Sequence, residues 1–101
     1  MNAIITKNLE QIKTLCDTYN VKQLYAFGSV CTESFNESSD VDLIVEFKNE
    51  NYYPDYANNY FSFSDQLENL FDRKVDLIAA KTLKNPYFIN EVNKSRALIY
   101  G

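Results

Sequence analysis

Leu24-Tyr25-Ala26-Phe27-Gly28-Ser29, ten residues running from Val30 to Ser39, and then Asp40-Val41-Asp42-Leu43-Ile44-Val45-Glu46-Phe47 form the stretch that decides the fold. Leu24 to Phe27 reads as a short buried strand, closed by Gly28-Ser29. Val30 to Ser39 is small and polar, which predicts a loop or a single irregular helical turn. From Val41 to Phe47 the chain alternates as a strand does. Val41, Leu43, Val45 and Phe47 fall on one face, and Asp40, Asp42, Ile44 and Glu46 on the other. Asp40 and Asp42 therefore project from the same side, with Cα atoms about 7 Å apart at a rise of about 3.3 Å per residue.

Outward from this core, Ile5, Leu9, Ile12, Leu15, Cys16 and Tyr19 recur at helical spacing and predict one amphipathic helix from about Ala3 to Tyr19, stopped by Asn20. Lys48 to Asn51 is a polar turn, and Pro54 suits the first turn of the next helix, where its missing N–H costs nothing. Tyr56, Tyr60, Phe63, Leu67, Leu70 and Phe71 give that helix its apolar stripe, and Asp72-Arg73 closes it. Lys74 to Ala79 is a third strand. Asn85-Pro86 opens a last helix from about Tyr87 to Lys94, and Ala97 to Tyr100 adds a short terminal strand. Residues 1–101 are expected to form one domain, with the fold class α/β or α+β: a small mixed sheet flanked by helices.

Composition narrows the chemistry. The chain contains no histidine, which excludes His-based zinc sites, Ser-His-Asp triads and Cys-His pairs. Net charge is −4 with no basic run, so a phosphate-neutralising face for direct DNA or RNA binding is not expected. Cys16 and Cys31 form no CxxC pair, and no apolar span is long enough for a bilayer. A cytoplasmic protein with reduced thiols and no membrane association is the expectation.

Carboxylates, hydroxyls and backbone amides remain. Glycine at position 28 lets an anion approach the backbone because no Cβ stands in the way, and Ser29 adds a hydroxyl and an N–H. Asp40 and Asp42 have no adjacent Lys or Arg in sequence. Two such carboxylates repel unless a hard divalent cation lies between them. Asp76, set between Val75 and Leu77, faces away from the apolar side of its strand. Taken singly, each feature is as ordinary as a turn or a solvated strand edge. Together they form a pattern.

Gly28-Ser29, ten residues, then Asp40-x-Asp42 resembles the signature of the nucleotidyltransferase superfamily that includes DNA polymerase beta. The later strand Asp76, the short length and the ending Ala97-Leu98-Ile99-Tyr100 resemble the minimal nucleotidyltransferase (MNT) branch, whose members are often the antitoxin of a HEPN-domain toxin. The resemblance implies the nucleotidyltransferase fold, ATP as substrate and two Mg²⁺ ions. It implies Gly28 and Ser29 on the β- and γ-phosphates, and Asp40, Asp42 and Asp76 as catalytic metal ligands. Asp76 would also draw the proton from the attacking hydroxyl. The implied function is AMP transfer from ATP to a hydroxyl of a partner protein, a HEPN-type toxin.

One segment departs from the family pattern. Relatives of this kind carry an arginine and a further glycine soon after the serine, whereas here the run is Val30-Cys31-Thr32-Glu33. That departure favours a competing function, a catalytically weak or inactive antitoxin that acts by direct binding. Retention of three carboxylates favours the enzyme. A small-molecule nucleotidyltransferase of the antibiotic-modifying kind ranks third, since those enzymes build their acceptor pocket from an extra C-terminal domain.

Overall fold

The computed structural model describes residues 2–48 and 56–101. Among these residues the α-helices and β-strands follow in order: α1 (Ala3–Thr6), α2 (Leu9–Thr18), β1 (Val21–Phe27), β2 (Val41–Phe47), α3 (Tyr56–Phe71), β3 (Val75–Ala79), α4 (Pro86–Ser95) and β4 (Ala97–Tyr100). The four strands form one mixed sheet in the order β3-β2-β1-β4. β1 is antiparallel to both β2 and β4, while β2 and β3 run parallel. The expected mixed sheet flanked by helices is therefore the architecture observed.

The leading helix differs from the single element expected. It breaks between α1 and α2, where the Asn8 side chain donates to the Ile4 carbonyl and the Asn8 N–H bonds Ile5 rather than Ile4. A short polar side chain that satisfies the backbone locally competes with helix continuation. Asn20 does close α2, in the left-handed conformation at φ 62°. It feeds straight into β1, which starts at Val21 rather than Leu24. Asn20 and Lys48 exchange two bonds across the far end of the β1–β2 ladder, Lys48 N–H to Asn20 O and Asn20 Nδ2 to Lys48 O. The polar turn expected after Lys48 and the Pro54 start of the next helix lie outside the described residues. Asn85 caps α4 by accepting from the Tyr87 and Phe88 amides, with Pro86 at its first turn.

Burial follows the strand alternation. Val41, Leu43, Val45 and Phe47 join Leu24, Ala26, Val75 and Leu77 in the main core, under Ile12 and Cys16 of α2 and Phe63, Leu67 and Phe71 of α3. The opposite face carries a smaller cluster, Phe27, Ile44 and Val92 of α4, with Tyr25 and Ile78 at its margin. Ile44 is thus buried on the face that strand alternation assigns to polar residues, because α4 crosses that half of the sheet. At the other half, where β1 ends and β2 and β3 begin, Asp42 is half-buried and Asp76 exposed.

Candidate active site

Parallel pairing of β2 and β3 sets Asp42 beside Asp76 as register partners, so their side chains leave the same face of adjacent strands. Neighbouring strands lie about 4.8 Å apart, which brings the two carboxylates closer than the Asp40–Asp42 spacing along one strand. On the other side of β2, Asp42 is the register partner of Phe27, the last residue of β1. Gly28 follows at φ +71°, in the left-handed region, and opens a four-residue 3₁₀ turn, Gly28–Cys31. A Cβ on Gly28 would stand 2.7 Å from Asp42 Oδ2. Glycine is therefore required twice, by the backbone torsion and by the carboxylate pressed against it.

Asp40, expected on the strand face with Asp42, lies just before β2 and stands 3.8 Å from the Lys74 ammonium, an exposed pair. The sequence offered Asp40 no adjacent cation, yet β3 pairing supplies one, since the Val41 N–H bonds the Lys74 carbonyl. Arg73 does not reach the carboxylates. Its guanidinium donates to the Asn36 and Ser39 carbonyls and lies 4.6 Å over the Phe35 ring, tying down the loop between Gly28 and Asp40. Arg96 sits 4.9 Å over Tyr25. Thr32, near where the family arginine is expected, turns its hydroxyl to the Ser29 carbonyl.

Partial burial is the largest cause that raises the Asp42 carboxyl above its ordinary value; repulsion from Asp76 and Asp40 adds to it, and Lys74 opposes. Ionisation of Asp42 thus costs the folded protein stability. The cost is absent below the ordinary value of 3.8, grows as pH rises through the raised value, and persists at neutral pH. Asp42→Asn removes it. In EDTA at pH 7 this variant is expected to melt slightly above the wild type, with the gain shrinking as pH falls toward 3.8. Thermal unfolding across pH checks this, and a variant melting at or below wild type at pH 7 would show that ionised Asp42 carries no such cost.

Oxygen donors alone, crowded and short of cations, suit a hard ion such as Mg²⁺. Among the described residues no three His, Cys, Asp or Glu side chains converge enough to hold an ion by themselves. Mg²⁺ is commonly held by one or two carboxylates together with substrate phosphates and water, so Asp42 and Asp76 beside the glycine turn fit that donor set.

Two further side chains bear on the elements that build the site. Ser95, at the end of α4, accepts the Gly28 N–H at 3.1 Å. Tyr60 of α3 donates its hydroxyl to the Leu77 carbonyl, and burial, followed by the nearby Asp76, pushes its pKa up. No sequence signal marks either, because one link spans 67 residues and the other crosses from helix to strand edge. Both cysteines are free, and burial raises each thiol, Cys16 to about 12, which leaves neither as a ready nucleophile.

The mixed sheet, with a glycine turn beside paired aspartates, suits the nucleotidyltransferase class. The family described as polymerase beta, nucleotidyltransferase matches residues 10–101, and the chain belongs to it. Two similar proteins of Methanocaldococcus jannaschii, both provisionally named protein adenylyltransferases, are 40% and 38% identical over 88 residues, 87% of this chain and 84% of each relative. Among solved structures, one described provisionally as a minimal nucleotidyltransferase has a TM-score of 0.76 at 23% identity, covering 96% of this chain and 95% of that one. A toxin–antitoxin structure with AMP-PNP has a TM-score of 0.71 at 19% identity, over 93% of this chain and 73% of that one. A tri-AMPylated Shewanella oneidensis HEPN toxin in complex with its MNT antitoxin has a TM-score of 0.64 at 18% identity, over 95% and 71%. At these identities the structural likeness is one of fold. Among the described residues no helix is long and apolar enough to cross a membrane.

Proposed function

We propose that residues 1–101 act as one domain that transfers AMP from ATP to a hydroxyl of a partner protein, and that the partner is a HEPN-type toxin which this chain neutralises in the cytoplasm. One observation carries the enzymatic part: Asp42 and Asp76 are side by side on adjacent strands, next to a glycine turn with no room for a side chain. The names of the M. jannaschii relatives support protein as the acceptor, and the HEPN–MNT complex among the fold neighbours supports the partner.

In this scheme Gly28 and Ser29 receive the β- and γ-phosphates, and Asp40, Asp42 and Asp76 are the residues that would hold Mg²⁺. The ion, when bound, neutralises phosphate charge and favours both the attacking and leaving oxygens. The acceptor hydroxyl oxygen forms a bond to the α-phosphorus, the bond to the bridging oxygen breaks, and pyrophosphate leaves with that electron pair. Asp76 takes the hydroxyl proton. Lys74, the cation beside Asp40, offsets part of the negative charge that the loop, lacking arginine, leaves uncompensated.

ATP is expected to bind tightly only with Mg²⁺ or Mn²⁺ present, because the crowded carboxylates repel a bare triphosphate. Titration calorimetry with the divalent ion and then with EDTA tests this, and equal affinity in the two conditions would remove the metal assignment. The competing function, a slow or inactive antitoxin acting by contact, draws on a specific observation. Both arginines of the chain are engaged away from the carboxylates, so no guanidinium replaces the one missing after Ser29.

A further inference from the structure

We propose that Ser95 is a positioning residue for the phosphate turn, and that α4 controls nucleotide affinity through it. This deepens the assignment of Gly28-Ser29 to the phosphates and rests on it. Gly28 lies one residue beyond the final β1–β2 register pair, Phe27 with Asp42, so the ladder no longer fixes its amide. A residue at φ +71° past the end of a strand has several accessible conformations, glycine most of all. The hydrogen bond from the Gly28 N–H to Ser95 Oγ, 3.1 Å long, selects among them.

The placement of Ser95 is set by packing. Phe88, Val92 and Ser95 recur at helical spacing along one face of α4. Phe88 meets Phe27 edge-on with ring centroids 5.8 Å apart, and Val92 is buried in the cluster with Phe27 and Ile44. This apolar contact seats the helix, and an alanine at position 95 would seat it equally well. What the hydroxyl adds is an acceptor aimed at the turn. The same turn touches Asp42, since the space a Gly28 Cβ would need is filled by Asp42 Oδ2. Ser95 thereby holds the phosphate turn in register with the carboxylate that faces it.

A positioning bond of this kind affects nucleotide binding more than the chemical step. With full-length protein, MgATP and co-purified partner, Ser95→Ala is expected to raise both the calorimetric Kd and the KM for ATP about five- to tenfold, the loss of one hydrogen bond. The kcat should stay within about twofold of wild type. Ser95→Thr, which keeps the hydroxyl, should restore affinity. An unchanged Kd in Ser95→Ala, even with a lowered Tm, would make the bond a structural clasp only and overturn the proposal. Asp42→Asn separates the two levels of inference. If wild type binds MgATP, Asp42→Asn abolishes binding and Ser95→Ala does not weaken it, Ser95 alone is misassigned. If wild type does not bind MgATP at all, the nucleotide site itself fails, and the role of Ser95 falls with it.

Discussion

Asp76→Asn is expected to leave the fold and the partner complex intact while cutting AMP transfer by about 10²–10⁴-fold, the usual worth of a positioned general base. The substitution keeps size and shape but removes both the charge and the proton acceptor. Asp76 is exposed at the open end of the sheet, whereas Val75 and Leu77 on either side are buried in the main core. Stability therefore resides in its neighbours rather than in its own carboxylate. Transfer of labelled AMP to the co-purified partner measures the catalytic loss, and gel filtration of the pair measures binding. Neutralisation of the toxin in cells should fail in parallel. Full protection by Asp76→Asn, or by the double change Asp40→Asn with Asp42→Asn, would mean that neutralisation needs contact and not chemistry. The direct-binding antitoxin would then be the function.

The sequence disclosed most of the frame because its apolar positions obey two different periods. Alternation from Val41 to Phe47 placed β2 with its boundaries and its core face, and the helical stripe from Tyr56 to Phe71 placed α3. Asn85-Pro86 marked the start of α4 through chemistry local to the chain. Less legible were features that depend on particular side-chain bonds and tertiary contacts. The break between α1 and α2 turns on one asparagine side chain, and the early start of β1 turns on Asn20 bonding Lys48. At the site, alternation put Asp76 on the polar side of its strand, but only the parallel β2–β3 register makes it the neighbour of Asp42. Lys74 comes next to Asp40 through that strand pairing and Ser95 next to Gly28 through the packing of α4, and no local spacing encodes either.

Gly28→Ala tests the geometry of the site with the smallest side chain available, and its expected effect is a loss of transfer of about 10²-fold or more. Two costs coincide at this position. An L-residue held at φ +71° pays about 1–2 kcal/mol for the left-handed conformation. The added Cβ would also lie 2.7 Å from Asp42 Oδ2, closer than the two atoms can approach. Either the turn rotates away from β2 or the Asp42 carboxylate swings off its axis, and both outcomes separate the phosphate turn from the aspartates. Displacements of about 1 Å are enough for a 10²-fold loss when rate depends on alignment. Val30 of the same turn is buried in the main core, so thermal unfolding should register both costs as a fall in Tm. Calorimetry should show weakened MgATP binding in the same variant. Near-normal ATP affinity and transfer in Gly28→Ala would mean that the phosphates do not rest on this turn, and the assignment of Gly28 and Ser29 would have to be given up while the family membership stood.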